Sequence, residues 1–153
     1  MRLAWRRTVL AGLVGATLAI LAPTSALAVR PLLSDHKVLR IALHEAKSHG
    51  ARRPRDILEA TGRAKLANEV FEGESNPELR SPQTTSEELK WMGGPNALID
   101  VVAMRGHFVA DGGHAEGPIL VLMIDAHSGR VDGLGLPEKY PDLARLGHVT
   151  HLP

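Results

Sequence analysis

The sequence predicts an α+β domain in which an amphipathic helix packs on an antiparallel sheet of three to four strands. The helix is indicated by apolar residues that recur at spacings of three to five within residues 38–46, with Gly50 after them as a left-handed stop. The centre of the sheet is indicated by an unbroken apolar run at residues 119–124, typical of a strand buried on both faces. A turn sequence, Asp125 to Gly129, joins that run to a further strand at residues 130–134.

Residues 1–28 predict a signal peptide. Three arginines within the first seven residues precede an uncharged apolar run at residues 8–22, which is shorter than the roughly 20 residues a membrane span needs. Ala26 and Ala28 supply the small residues that a signal peptidase reads, so we expect cleavage after Ala28. The sequence therefore predicts a secreted protein without a stable membrane anchor, and the pair Arg6-Arg7 leaves both general and twin-arginine export open.

The other elements follow in order along residues 29–153. They are an extended lead over 29–34, a helix from about Asp35 to His49, a basic linker over 51–55, a short strand over 56–60, a second helix over 63–71 and a strand over 97–109 with a bulge at Gly106. Residues 72–94 are polar and rich in Ser, Pro, Glu and Thr, which predicts a mobile loop. We place the helices and strands, with this loop, in a single α+β domain at residues 35–153 that follows the extended lead.

Composition excludes several functional classes. The chain of 153 residues has no cysteine, which rules out a disulfide scaffold, a thiolate zinc site and a cysteine nucleophile. Its 3% of aromatic residues supplies few stacking platforms for sugars or single-stranded nucleic acid. Removal of residues 1–28 leaves 15 basic and 17 acidic residues, and this slight negative charge argues against a nucleic-acid partner.

Eight histidines raise the question of a metal site. His44 and His49 lie in the predicted helix, but five residues at about 100° each place their side chains about 140° apart, so they cannot bind one ion. His107 and His114 flank a glycine-rich loop, and Asp125 begins the predicted turn. These three residues are the candidate ligands, although the sequence as a whole predicts neither a metal nor a cofactor.

No catalytic constellation is predicted. The segment at residues 73–77 differs from a nucleophile elbow at its last position and lacks the large sheet that an elbow needs. The glutamates of residues 69–88 could be searched for a glycosidase pair, but they lie in a polar segment with no burial to raise a carboxyl pKa. We expect these glutamates, Glu72 and Glu88 among them, to form a solvated face.

Three segments carry a resemblance to known proteins. The stretches VVAMRGHF, ILVLMIDAHSGRV and PDLARLGHVTHL together resemble a family of small, uncharacterised exported proteins of high-GC Gram-positive bacteria, which implies export but no activity. The octapeptide Ile124 to Val131 is similar to part of the PepSY module. That likeness implies a PepSY/cystatin-like fold, a helix on an antiparallel sheet, as found in protease propeptides and exported regulators.

These observations predict an exported, non-catalytic binding or regulatory module of unknown partner. Inhibition is the form of regulation that the PepSY resemblance implies, and the partner is expected to be another exported protein. Two alternatives stay open. The first is an extracytoplasmic metal-binding protein that uses histidines, and the second is a small secreted hydrolase.

Overall fold

One antiparallel sheet organises the described residues, 31–73 and 82–153, in the computed structural model. The elements are α1 (Asp35–Ser48), β1 (Arg55–Arg63), α2 (Ala64–Gly73), α3 (Pro82–Trp91), β2 (Leu98–Ala110), β3 (Ala115–Asp125), β4 (Val131–Gly135) and β5 (Thr150–His151), with short 3₁₀ turns at Asp111–Gly113 and Leu143–Arg145. The sheet has five strands within the described residues, in the order β4-β3-β2-β1-β5. The predicted α+β fold is therefore confirmed.

Helices cover both faces of the sheet. The fully buried Val38, Ala42 and Ala46 of α1 pack against alternate residues of β2 and β3 on one face, and α2 packs on the other face. Side chains in a strand alternate between the two faces, so β3 needs apolar residues at every position of its central run. The apolar run predicted to be central lies in β3, an inner strand between β2 and β4. The middle strand of the five is β2.

The turn between β3 and β4 has the predicted geometry. Asp125 accepts hydrogen bonds from the backbone N–H groups of His127 (3.1 Å) and Ser128 (2.6 Å) on its Oδ1 atom. Burial raises the pKa of the Asp125 carboxyl, but hydrogen bonds from the backbone and side chain of Ser128 and from the backbone of His127 outweigh it, and the pKa is lowered. Gly129 closes the turn at φ 78° and donates its N–H to the Asp125 carbonyl oxygen at 2.9 Å. The left-handed residue and the antiparallel pairing are both confirmed.

Several local predictions are confirmed with small shifts of boundary. The first helix ends at Ser48, and Gly50 follows it at φ 92°. The short strand and the second helix correspond to β1 and α2. The bulge in β2 lies where Gly106 predicted it, because the pairing register with β3 shifts between Arg105 and Phe108.

Two predictions need correction. The loop predicted over residues 72–94 is wrong for Pro82–Trp91, which form α3. Leu89 and the buried Met92, which directly follows the helix, pack with the apolar cluster that α2 forms with the sheet, and proline is tolerated in the first turn of a helix. The count of three to four strands is also wrong, because the two residues of β5 pair with Leu58 and Glu59 of β1.

The remaining predictions fall wholly or partly outside the described residues. These are the signal peptide at residues 1–28, with Ala26 and Ala28, the start of the extended lead at residues 29–30, and the part of the polar loop at residues 74–81. Within the ranges that are described, none of the helices is long and apolar enough to cross a membrane.

Candidate functional site

The histidine candidates do not meet. His107 and His114 are exposed near the hairpin that joins β2 to β3, whereas Asp125 pairs with Ile99 at the other end of β2. Ile99 and His107 are eight residues apart on one strand, a separation of more than 20 Å at about 3.3 Å per residue. Across residues 31–73 and 82–153, no three acidic or histidine side chains come together in a way that could hold a metal ion.

A cavity of about 300 Å³ opens between α2, α3 and the β3–β4 edge of the sheet. Phe71, Met92 and Met123 form apolar walls, and Trp91 stands at the end of α3 with 78% of its surface exposed. The polar side chains that line this cavity are Asn68, Glu72, Glu88 and Asp132. We call it the acidic cavity. Its volume is at the lower end of the range for small-molecule sites.

Two glycines of β4 shape the sheet side of this cavity. A Cβ atom at Gly135 would lie 2.9 Å from Cζ of Phe71, and a Cβ atom at Gly133 would collide with Cε of Met123. Phe71 and Met123 can therefore lie directly against the backbone of β4. Close approach of this kind is a common reason for glycine inside a strand.

A bulge in β4 carries Asp132 to the acidic cavity. The register passes from Met123 opposite Gly133 to Ile124 opposite Val131, so Asp132 is the extra residue. Its side chain is only 4% exposed. One carboxyl oxygen, Oδ1, accepts a hydrogen bond from Arg130, whereas the buried Oδ2 has no hydrogen-bond partner in the described structure.

The helix side of the cavity holds a pair of interacting carboxyl groups. Asn68 donates a hydrogen bond from Nδ2 to Oε1 of Glu72 at 3.0 Å. Burial raises the pKa of Glu88, and a hydrogen bond with Glu72 and the charge of that carboxylate raise it further, against a smaller lowering by Asn68. Two carboxyl groups can form a hydrogen bond only if a proton lies between them. The second oxygen of Glu88, Oε2, is buried without a partner among the described residues.

This arrangement corrects the prediction of a solvated acidic face. Glu87 is exposed, as predicted, but Glu72 and Glu88 are partly buried at the acidic cavity. The reason is that α3 brings Glu88 beside α2, a contact that local composition does not reveal. Asp132 was missed as well, although two glycines within five residues of a strand are a signal for a bulge or a close approach.

A second acidic pair lies on the opposite face of the sheet, beside the first turn of α1. Glu59 is 7% exposed and Asp100 is 4% exposed, and Asp100 accepts a hydrogen bond of 2.7 Å from the Thr61 hydroxyl. Burial, followed by the charges of Asp100 and Asp35, raises the pKa of Glu59 to about 7. Burial also raises the pKa of Asp100, partly opposed by the bond from Thr61. Neither residue is predicted from the sequence.

No protein family, curated protein or solved structure matches the chain. The chemistry of the acidic cavity is therefore the basis for a functional proposal.

Proposed function

We propose that the protein is an exported, non-catalytic binding module and that the acidic cavity binds a positively charged organic group. The observation that carries this proposal is the pair of buried carboxyl oxygens without partners, Oδ2 of Asp132 and Oε2 of Glu88. A buried polar atom without a hydrogen bond costs about 1–3 kcal/mol, which a ligand that supplies a donor recovers.

Charge favours a cation over a neutral or anionic ligand. Three carboxyl groups line the acidic cavity, and among the described residues no lysine, arginine or histidine lines it. The apolar walls lower the local dielectric constant, which strengthens the attraction between a carboxylate and a cation. Arg130, the partner of Asp132, is more than half exposed and does not belong to the cavity lining.

The arrangement of the acceptors favours an organic cation over a metal ion. A metal ion needs several ligand atoms within about 2.0–2.6 Å of one point. The carboxyl groups of the cavity do not form such a cluster. A free organic cation or one basic side chain of an exported partner protein fits the volume, and the second of these agrees with a regulatory role.

Ligand-dependent stability tests this proposal. The purified protein is unfolded by heat with n-pentylammonium, valerate or 1-pentanol at equal concentration. We expect only the cation to raise the unfolding midpoint, because at about tenfold excess over Kd a ligand adds about 1.4 kcal/mol of stability. Asp132→Asn should remove the effect, whereas Glu87→Gln, on the exposed side of α3, should retain it. An equal rise with valerate would contradict the proposal.

Export is tested separately. Cleavage after Ala28 predicts a product that begins at Val29, which mass spectrometry of culture fluid detects. An intact amino terminus in the membrane fraction would contradict the secreted part of the proposal without affecting the acidic cavity.

A small secreted hydrolase is the second candidate. It is favoured by the raised pKa of Glu88 beside Glu72, since a carboxyl of raised pKa beside a carboxylate is a common acid–base pair. Incubation with aryl glycosides and with p-nitrophenyl esters tests it, using Glu88→Gln as the inactive control. Turnover that this variant abolishes would replace the binding proposal.

A further inference from the structure

We infer that the cation which fits the acidic cavity is a planar guanidinium rather than an alkylammonium. This inference rests on the proposed function and names the chemical class of its ligand. The chemistry is shared by an arginine side chain of a partner protein and by a free guanidino compound.

The positions of the two unpartnered acceptors favour a guanidinium. Glu88 projects from α3 and Asp132 from the bulge of β4, so the two residues with unpartnered oxygens line the cavity from two different elements. An ammonium group has three donors on one nitrogen, whereas a guanidinium has five N–H donors spread around a plane. Donors that point away from one another can reach acceptors on separate walls.

The apolar walls favour the same group. Phe71, Met92 and Met123 replace water around any ligand that enters. An ammonium is strongly hydrated and loses more hydration free energy when it leaves water. A guanidinium is weakly hydrated along its faces and stacks on aromatic rings. Thioether side chains are polarisable and adapt to a flat surface.

The molecule already contains a guanidinium between the same two elements. Arg130 donates from Nε to Asp132 and from Nη2 to the carbonyl oxygen of Trp91, so a single guanidinium spans β4 and the end of α3. A guanidinium outside the cavity lining therefore reaches acceptors on both elements at once. Oδ2 of Asp132 is the atom that Arg130 leaves unsatisfied.

Trp91 provides a surface for the remainder of the ligand. Trp91 is 78% exposed beside the acidic cavity, and only its backbone carbonyl takes part in the bond to Arg130. The alkyl stem of an arginine packs readily along an apolar surface while the guanidinium is held by acceptors.

A matched pair of monocations tests the inference. The purified protein is titrated with n-butylguanidinium and with n-pentylammonium, followed by calorimetry and by the amide resonances of β4. We expect the guanidinium to bind more tightly by a factor on the order of ten. Similar or tighter binding of the ammonium would overturn this inference and leave the proposed function standing. Absence of binding by both cations would overturn the two together.

Variants locate the binding. Asp132→Asn and Glu88→Gln should each weaken n-butylguanidinium binding by a factor on the order of ten, because each removes a charged acceptor. Glu87→Gln is the control and should bind as the parent protein does. Trp91→Ala changes an exposed side chain and leaves the fold intact, so its expected severalfold loss of affinity tests the site independently of folding. Unchanged affinity in all three cavity variants would place the cation elsewhere and overturn the inference.

A third titration distinguishes the two sources of a guanidinium. The probe is a capped pentapeptide with a central arginine flanked by glycines. Binding at least as tight as that of n-butylguanidinium assigns the cavity to an arginine of a partner protein. Exclusion of the peptide assigns it to a free guanidino compound.

Discussion

Arg130 fastens the end of α3 to the beginning of β4, because its Nη2 atom donates a hydrogen bond to the carbonyl oxygen of Trp91. The same side chain donates from Nε to Asp132. One exposed residue therefore fixes both the mouth of the acidic cavity and the carboxylate in its wall. Trp91 lies 39 residues from Arg130 in the sequence, whereas Asp132 lies only two residues from it.

Replacement of Arg130 by methionine should lower stability. The variant keeps an apolar stem but leaves the buried Asp132 carboxylate without its cation, and an uncompensated buried charge is destabilising. Urea unfolding of the parent protein and the variant measures the loss. Arg145→Met is the matched control, since Arg145 only approaches an exposed Glu69 at 3.9 Å, and it should change stability little.

Gly129 should tolerate asparagine better than valine. Its φ of 78° lies in the left-handed region, and an added Cβ would approach Ile41 Cδ1 to 2.8 Å. Asparagine adopts this conformation at a cost on the order of 1 kcal/mol, whereas a β-branched residue suffers more strain and more crowding. We expect Gly129→Val to unfold at clearly lower urea concentration than Gly129→Asn.

A comparison with Gly112 separates backbone strain from side-chain crowding as causes of this difference. Its φ of 66° is similar, but no atom lies within 4 Å of an added Cβ. The gap between valine and asparagine should therefore be smaller at Gly112 than at Gly129. Equal gaps at both positions would mean that crowding against Ile41 is unimportant.

Replacement of Glu59 by glutamine should stabilise the protein at high pH. The pKa of Glu59 is raised from 4.5 to about 7 in the folded chain, so neutral Glu59 contributes stability that is complete below pH 4.5 and is lost as the pH rises through 7. Glutamine stays neutral throughout. Allowing for partial hydration, we expect Glu59→Gln to raise the free energy of unfolding by on the order of 2 kcal/mol more at pH 8 than at pH 4.5.

Urea unfolding of parent and variant at both pH values measures this difference. The exposed Glu138→Gln serves as the control, since its effect should be nearly the same at the two values. A Glu59→Gln effect that does not change with pH would show that Glu59 ionises in the folded chain as it does in the unfolded one.

Binding of n-butylguanidinium should strengthen as the pH rises. The pKa of Glu88 is raised, so at lower pH its carboxyl is neutral and attracts a cation less, whereas the guanidinium stays charged throughout. The other polar groups at the site are Asn68 and Glu72 from α2 and Asp132 with its partner Arg130 from β4. Calorimetric titration between pH 5 and pH 8, in two buffers of different ionisation enthalpy, should detect a released proton. Glu88→Gln should flatten the pH dependence, and an unchanged slope would assign the proton to another group.

The sequence predicts those parts of the fold that depend on neighbours along the chain. Helix α1 follows from the spacing of Val38, Ala42 and Ala46, and the hairpin turn follows from Asp125 and Gly129, because each signal lies within a few residues of the structure it specifies. Helix α3 escapes prediction because its apolar content is low. Its packing is decided by α2 and the apolar cluster beside it, which are distant in sequence.

The acidic cavity could not be predicted from local pattern for a related reason. Its polar residues come from α2, α3 and β4, and the position of Asp132 depends on a register shift between β3 and β4. The raised pKa of Glu88 arises first from burial and then from Glu72, 16 positions earlier in the chain. Composition alone predicts that both glutamates are solvated. Their packing in the folded chain is what distinguishes them from solvated glutamates.

The bulge at Asp132 also bears on how the protein behaves at high concentration. Strand β4 is the last strand on its side of the sheet, and an open strand of this kind can recruit the edge of a second molecule and begin aggregation. An irregular backbone with a buried carboxylate interrupts the even row of hydrogen-bonding groups that such recruitment requires. Deletion of Asp132 would restore regular pairing and would thus create an aggregation-prone edge strand. The strand at the opposite edge of the sheet, β5, is only two residues long.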